Sequence, residues 1–366
     1  MRDPPGRPDD PPAPPPHKPR AEPPNVRSAR SFAALTLLAA VAAVVLFVLH
    51  LGLGTVWIPP DRVVLALLDR PTDPTDLTIV RELRLPRAIL GLLVGSMLGL
   101  SGALLQVVMR NRLAEPGLTG VSTGGIFAAV LFLAGTWGLP SPGQLLPFVV
   151  LVGALAGGAL VLFASSFRGR IDPLRLILTA VIVNAVLGSL TSIVMLNSQQ
   201  ALGGILSWLI GSLNGRVWDD VWLALPWAAA GIPAALLAAR AANLLQLDDE
   251  SGRALGLPLQ PARVALFGLA ALLAAGAVSV SGAIAFVGLM APNAARVIAG
   301  ADARRVFPLA ALIGCVLLLA ADLVAQSLSI KPPIPSSSAR VGLPVGAVLA
   351  VFGAPLLITL IRRSIR

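Results

Sequence analysis

The chain has 366 residues, of which 56% are hydrophobic and 13% are charged, and its net charge is +10 at pH 7. An ordinary soluble domain carries about 25% charged residues, so this composition excludes a soluble globular protein and indicates a chain solvated mainly by lipid. The single cysteine, Cys315, excludes an internal disulfide; the two histidines, His17 and His50, are interpreted as incidental, and no metal site is predicted.

The N-terminus differs in composition from everything that follows it. Residues 1–31 are crowded with proline and basic side chains. Such a segment cannot bury a hydrophobic core, so we expect a disordered cytoplasmic tail. Residues 32–362 are predicted to form one all-α, polytopic membrane domain, in which short interfacial and cytoplasmic helices accompany the membrane spans.

Ten apolar runs in this domain come close to the ~20 residues that cross ~30 Å of hydrocarbon as a helix, so we predict ten transmembrane helices. The eighth run is short enough to be partly re-entrant. Residues 202–215 are apolar but too short to cross, and they are interpreted as an interfacial helix. In chain order the ten runs are 32–53, 86–109, 117–135, 145–166, 174–196, 221–240, 262–281, 284–299, 306–328 and 343–361.

The positions of the basic residues predict the orientation of the spans. If the N-terminus lies inside, 20 of the 28 lysines and arginines fall in the tail, the cytoplasmic loops and the C-terminus. Cytoplasmic loops carry an excess of basic residues, so both termini are predicted to be cytoplasmic. The positive charge is therefore interpreted as a topology signal, and no nucleic-acid partner is predicted.

A polar stretch, "LQLDDESGRALGLPLQPAR" (245–263), interrupts the apolar sequence between the sixth and seventh runs. With both termini inside, this stretch lies on the cytoplasmic side. Its central residues, Arg253 to Gly256, are expected at the surface there. A soluble partner could reach them there.

Glycines recur four residues apart in "GLLVGSMLG", where Gly91, Gly95 and Gly99 share one face of the second predicted span. Small residues at this spacing let the backbones of two helices approach closely. This face is therefore predicted to pack against another helix in a compact bundle.

Polar side chains are scarce inside the predicted spans. Asp322 is the one clear acid, and an intramembrane acid is a functional candidate by default. A lone acid also fits a hydrogen bond to a neighbouring helix, and we favour this structural interpretation. Asn184 and Gln106 are uncharged and are predicted to bond between helices. Because an ion-coupled carrier usually uses more than one such group, secondary transport is the weaker alternative.

The sequence contains no phosphate-binding loop ending in Gly-Lys-Ser/Thr, because its two lysines, Lys18 and Lys331, are each followed by proline. We therefore predict a non-catalytic protein. Any ATP hydrolysis that drives it would take place in a separate subunit.

Five long stretches, in order along the chain, carry a family resemblance. They are "RLPRAILGLLVGSMLGLSGALLQVVMRNRLAEPGLTGVSTGG" (84–125), "SWLIGSLNGRVWDDV" (207–221), "RALGLPL" (253–259), "SGAIAFVGLMAPNAARVIAGADARRVFPLAALIGCVLLLAADLVA" (281–325) and "LPVGAVLAVFGAPLLITLI" (343–361). Together they resemble the permease subunits of the iron-chelate (siderophore) and cobalamin class of ABC importers. The resemblance covers residues 32–362 and leaves out the tail.

The resemblance implies ten spans and a location in the bacterial cytoplasmic membrane. It implies a second permease subunit (the same chain or a paralogue), two cytoplasmic ATPase subunits that hold ATP and Mg, and an extracytoplasmic substrate-binding protein. No cofactor is expected on this chain. The expected cargo is an iron–siderophore complex, with haem or cobalamin as the alternatives. A membrane scaffold without transport is a further alternative.

The resemblance also assigns docking surfaces to particular residues. Residues 244–261 fall where the family contacts its ATPase, which implies a docking loop there with Arg253, Ala254, Leu255 and Gly256 as its contact residues. Arg84 and Arg87 match arginines that receive acidic residues of the binding protein, since the arginine fork holds a carboxylate at two points.

The sequence departs from the family pattern at three positions. Asn293 stands where the family commonly has histidine, Gln326 where it often has arginine, and Gly342 where it usually has glutamate. The last two, together with an insert at 331–340, are expected near the outer face, so the contacts with a binding protein are expected to differ from the family pattern.

Overall fold

The computed structural model describes residues 29–54, 56–70, 73–135, 145–167, 170–197, 208–247, 258–328 and 343–364. Most of the predicted tail therefore lies outside the described residues. So do the proposed ATPase-docking residues Arg253–Gly256, residues 202–207 of the predicted interfacial helix, and the 331–340 insert. Of the rest of that predicted helix, residues 208–210 are helical and residues 211–215 are not.

The described residues are almost entirely helical. The exceptions are two short strands, β1 (Ser166–Phe167) and β2 (Arg170–Ile171), which pair antiparallel with Ser166 opposite Ile171. The helices are α1 (Ala29–Gly52), α2 (Pro60–Leu67), α3 (Pro74–Leu77), α4 (Leu85–Val108), α5 (Val121–Leu133), α6 (Leu146–Ser165), α7 (Pro173–Asn197), α8 (Trp218–Leu237), α9 (Ala239–Gln246), α10 (Leu259–Ser281), α11 (Val287–Ala299), α12 (Ala303–Ser327) and α13 (Val345–Ser364). A π-helical turn (Thr78–Arg84) leads into α4, and a 3₁₀ turn (Pro116–Leu118) precedes α5.

Each of the ten predicted spans coincides with one of these helices. Among the described residues, seven helical segments are long and apolar enough to cross a membrane. The helices α5, α11 and α13 have shorter apolar stretches. The all-α, multi-pass membrane class is thus confirmed, whereas ten complete crossings stay a prediction.

Helix α4 lies at the centre of the bundle, and its residues are buried without a break from Val94 to Val108. It packs against α8, α10, α11 and α12. The glycine face meets α12: a β-carbon at Gly95 would lie 2.6 Å from the Gly314 carbonyl oxygen and 2.8 Å from the Cys315 Cα. A β-carbon at Gly91 would lie 2.6 Å from the Leu319 side chain. Close approach of the two backbones therefore depends on the absence of side chains on this face.

Replacing Gly95 by leucine is expected to abolish most of the folded protein. The obstacle is the backbone of α12, which cannot rotate away as a side chain can, so the loss of stability should be at least about 3 kcal/mol. Gly268→Leu on α10 is the matched control, because no described atom lies within 4 Å of a β-carbon there. Size-exclusion profiles and melting temperatures of the detergent-solubilised variants measure the effect. Equal stability of the two variants would contradict this packing.

Candidate functional site

A buried carboxylate joins three helices at one end of the bundle. Asp322 of α12 is 0% exposed. Arg87 of α4 holds it with two parallel bonds, from Nε to Oδ2 at 2.7 Å and from Nη2 to Oδ1 at 2.8 Å. His50 of α1 places Nε2 2.8 Å from Oδ2. Gln326, one turn further along α12, donates to the same oxygen at 3.0 Å. We call these four residues the outer cluster, because the predicted orientation puts them at the extracytoplasmic end.

The sequence explains why these groups meet. His50 lies in the last turn of α1, Arg87 in the first turn of α4 and Asp322 near the end of α12, so the ends of three helices converge. A carboxylate removed from water needs a partner of opposite charge and further hydrogen bonds. Arg87, His50 and Gln326 supply both. The cluster therefore supports the structural interpretation of Asp322.

Arg84 fixes the chain next to the outer cluster. Its Nη1 donates to the Leu51 and Gly52 carbonyl oxygens, each at 2.9 Å, and its Nη2 donates to the Val56 carbonyl. These carbonyls belong to the end of α1 and the turn that follows, where the helix leaves carbonyls without partners of its own. Arg84 thus ties the end of α1 to the start of α4.

Both arginines predicted to contact a binding protein are therefore bonded within the subunit. Arg84 is 8% exposed and the Arg87 side chain 15% exposed. Neighbouring Arg81 differs, since its side chain is 41% exposed and pairs with the more exposed Asp69 at 3.0 Å. The assignment of Arg84 and Arg87 to docking stays a prediction, and docking would compete with their internal contacts.

The two uncharged candidates bond between elements. Asn184 of α7 accepts a hydrogen bond from Thr123 of α5. Gln106 of α4 accepts one from Arg296 of α11. The Gln106 amide nitrogen is buried and has no acceptor within the described part of the chain.

The backbone is broken between α10 and α11, where Gly282 and Phe286 both have left-handed φ angles, of 69° and 70°. Helix α11 begins beside the middle of α4: a β-carbon at Gly102 would overlap the backbone of Gly288. Non-helical backbone at membrane depth persists only where it is buried in protein or lines a cavity. Helix α11 therefore starts inside the bundle, as the partly re-entrant interpretation of this run requires.

The broken segment finds its hydrogen-bond partners elsewhere in the chain. The Ala283 N–H donates to the Trp208 carbonyl at 3.1 Å, and the Phe286 N–H donates to the Glu115 carboxylate at 3.1 Å. On the other side the Phe286 ring lies against α13, where a β-carbon at Gly353 would be 2.6 Å from the ring. The segment is thus held by Glu115 and packed against the last helix.

Glu115 is half-buried in the loop after α4, and this burial raises the pKa of its carboxyl above the ordinary 4.5. The folded state therefore holds the proton more tightly than the unfolded state. This contribution to the free energy of unfolding is greatest below pH 4.5 and is lost as the pH rises through the folded pKa.

Glu115→Gln keeps the acceptor for the Phe286 N–H but removes the titration. The melting temperature of the variant relative to the wild type should therefore increase between pH 4 and pH 8. Glu115→Ala should lose about 1–3 kcal/mol at every pH, because the Phe286 N–H loses its partner. Parallel pH curves for Glu115→Gln and the wild type would show that the carboxylate is fully solvated.

Sequence reasoning missed several of these residues. His50 was interpreted as incidental and Gln326 only as a departure from the family, and neither Glu115 nor Phe286 was singled out. The spacing of Asp322 and Gln326, four residues apart on one helix, was the available signal. The contacts of His50 and Glu115 join residues far apart in sequence, so no local pattern reveals them.

The comparisons with known proteins identify the family of the chain. Residues 42–363 match the FecCD transport family. The chain is 36% identical over 301 residues to a permease protein of the Fe(3+) dicitrate transport system of Escherichia coli, covering 81% of this chain and 87% of that protein. It is 36% identical over 297 residues to a cobalamin import permease of Halobacterium salinarum, covering 79% and 74%.

A solved ABC transporter of the metal-chelate type, in an inward-facing conformation, has a TM-score of 0.74 and 28% identity to this chain. It matches over 90% of this chain and 99% of its own. The family match includes the outer cluster, the broken segment and α13. The chain belongs to the FecCD transport family.

Proposed function

We propose that the chain is the transmembrane permease subunit of an ATP-driven importer that carries an iron–siderophore complex across the bacterial cytoplasmic membrane. The observation that carries this proposal is the family match over residues 42–363, nearly the whole predicted membrane domain. The ferric dicitrate relative supports iron-chelate cargo. The cobalamin relative keeps cobalamin as a second candidate cargo, with haem as a third.

The outer cluster argues against an ion-coupled carrier. A coupling site must bind and release its ion during each cycle, but Asp322 is held by Arg87 at two points and has no exposed surface. Its negative charge is balanced by an arginine, which keeps its proton in proteins. The energy for transport therefore comes from a partner.

The proposed assembly has two permease subunits, two cytoplasmic ATPase subunits that hold ATP and Mg, and a substrate-binding protein outside. Within this assembly the chain has ten spans, both termini in the cytoplasm, and no cofactor or catalytic residue of its own. Support comes from the excess of basic residues in the predicted cytoplasmic segments. The similarity to a solved ABC transporter over most of both chains supports the same assembly.

Arg84→Gln is expected to weaken the association with the substrate-binding protein by about tenfold, the loss of one charge-assisted bond of roughly 1.4 kcal/mol. It is a cleaner variant than a charge reversal, because its internal partners are carbonyls and no buried carboxylate is left unpaired. Arg87→Lys keeps the ion pair with Asp322 but removes the planar guanidinium that can hold a carboxylate at two points. It should therefore also weaken the association with the substrate-binding protein.

The affinity of the purified binding protein for the permease in nanodiscs measures both changes. For Arg84→Gln the salt dependence of binding should also fall, since one charge contact with the binding protein is lost. Arg81→Gln is the control on the same face. If Arg84→Gln and Arg87→Lys leave affinity and salt dependence unchanged in folded protein, both arginines are internal anchors only.

Energy coupling tests the proposed function in cells. Deleting the chain should abolish high-affinity uptake of the cognate ferric siderophore, and the uptake in wild-type cells should be sensitive to vanadate. Uptake that collapses with the proton gradient at constant ATP would identify a secondary carrier. Unchanged uptake after deletion would favour a scaffold.

A further inference from the structure

A basic cavity lies at the end of α4 opposite the outer cluster. Its volume is about 240 Å³. Its polar lining comes from the end of α4, the loop that follows, the end of α9 and the last turn of α11, and none of the lining residues is acidic. The charged or amide side chains that line it are Gln106, Arg110, Asn111, Arg112, Gln246 and Arg296.

Two arginines, Arg112 and Arg296, line the cavity together and bring two positive charges to it. Arg296 donates to the Gln106 side-chain oxygen, so the amide nitrogen of Gln106 is left as a donor. This nitrogen is buried and has no acceptor among the described residues. A buried donor without an acceptor destabilises the folded state, and two neighbouring positive charges do so as well. A bound anion would remove both costs, because it accepts hydrogen bonds and carries negative charge.

The nearest described carboxylates are engaged elsewhere. Asp302 accepts from the Asn243 side chain at 2.7 Å and from the Arg304 N–H at 3.0 Å, as the cap of α12. Glu115 accepts from the Phe286 N–H. Arg110 donates to the Leu247 carbonyl at 2.6 Å, which holds the end of α9 at the rim of the cavity. Within the described part of the chain, the cavity therefore gathers the donors of Gln106, Arg112 and Arg296, and no carboxylate lines it.

We propose that this cavity is a binding site for a phosphate-class anion, held by Arg112, Arg296 and the amide of Gln106. Charge-assisted bonds from arginine to phosphate oxygens are among the strongest in proteins. About eight water molecules occupy the same volume in liquid water, at ~30 Å³ each. The cavity therefore has room for a tetrahedral oxyanion. The phosphate would come from the cytosol as a free anion or from the headgroup of an anionic phospholipid in the inner leaflet.

Binding at this site would have a structural consequence. Gln106 belongs to the central helix, Arg296 to α11, and the rim to α9, which leads into the predicted docking loop. An anion that contacts these groups would link α11, which follows the broken segment, to α9, which precedes the predicted docking loop. The inference does not depend on the identity of the cargo.

The test uses the full chain in nanodiscs of two compositions. In nanodiscs of phosphatidylcholine alone, inorganic phosphate is titrated against sodium chloride at matched ionic strength, and the melting temperature is followed. In the second arm, phosphatidylglycerol is included in the nanodiscs and no phosphate is added. A saturable rise with phosphate assigns the site to a free anion, and a rise with phosphatidylglycerol alone assigns it to a lipid headgroup.

Arg112→Gln should weaken the apparent affinity in the responding arm at least tenfold, as expected for the loss of one arginine–phosphate contact. Arg112 is exposed, so this variant should fold normally, and Arg304→Gln, at the same end but outside the cavity, is the control. The proposal is overturned if neither anion stabilises the wild type, or if Arg112→Gln and Arg304→Gln respond equally. It is also overturned if Arg112→Gln impairs only the binding of an ATPase subunit, because the cavity would then receive a protein carboxylate.

Discussion

Asp322→Leu is expected to remove most folded protein from the membrane. The substitution leaves the guanidinium of Arg87 and the ring of His50 in a buried site without the carboxylate that both contact. Breaking one side of a buried ion pair costs about 3–5 kcal/mol, which is a large part of the stability of a protein. Asp322→Asn keeps the size and one acceptor, so its loss of stability and of transport should be smaller.

Two further variants make this result specific. Arg87→Met combined with Asp322→Leu should recover part of the folded protein lost in Asp322→Leu, because replacing both members of a buried pair by apolar groups is often neutral. Ser327→Ala, on the exposed last turn of α12, is the control. Membrane levels and melting temperatures are measured first, and uptake afterwards. Complete loss of uptake in a stable Asp322→Asn protein would return the ion-coupled carrier as the leading hypothesis.

Leu255→Asp and Gly256→Trp are each expected to abolish co-purification of the ATPase subunits while the permease remains folded. The first places a charge where Leu255 is expected to fill an apolar groove of the ATPase subunit, and an unpaired carboxylate is strongly unfavourable there. The second adds bulk where close approach is required. Both residues lie outside the described part of the structure, so this prediction depends on the family resemblance and on the predicted cytoplasmic position.

Conservative changes at the same positions serve as matched controls. Leu255→Met keeps the apolar volume, and Gly256→Ala adds a single methyl group, so both should retain the ATPase. Pull-down of the ATPase on the tagged permease, together with the melting temperature of the permease alone, separates lost docking from lost folding. Normal assembly and uptake in both disruptive variants would remove this stretch from the interface.

The sequence predicted those parts of the fold that depend on local patterns. Apolar runs of spanning length located ten helices, and the four-residue spacing of Gly91, Gly95 and Gly99 predicted a face that meets another helix, as α4 meets α12. The shortness of the eighth run indicated a segment that is partly re-entrant. These features follow from composition along one helix, so a single sequence contains them.

Contacts between distant segments could not be predicted in the same way. Asp322 was recognised as an acid that needs a partner, but the pairing with Arg87 and His50 depends on which helix ends meet. The two short helices α2 and α3, between the first two spans, were also not predicted, since neither is apolar enough to be noticed. The left-handed backbone of Phe286 depends on Glu115 and Gly353, which tertiary structure brings to it.

Uptake into proteoliposomes tests the central claim most directly. The permease is reconstituted with its ATPase subunits, ATP and Mg are enclosed on the cytoplasmic side, and the substrate-binding protein loaded with radiolabelled ferric siderophore is added on the other side. We predict transport that requires all three components, stops with vanadate, and is absent when the permease is reconstituted alone. Equal transport without ATP or without the ATPase subunits would contradict the assignment of this chain as the permease of an ATP-driven importer.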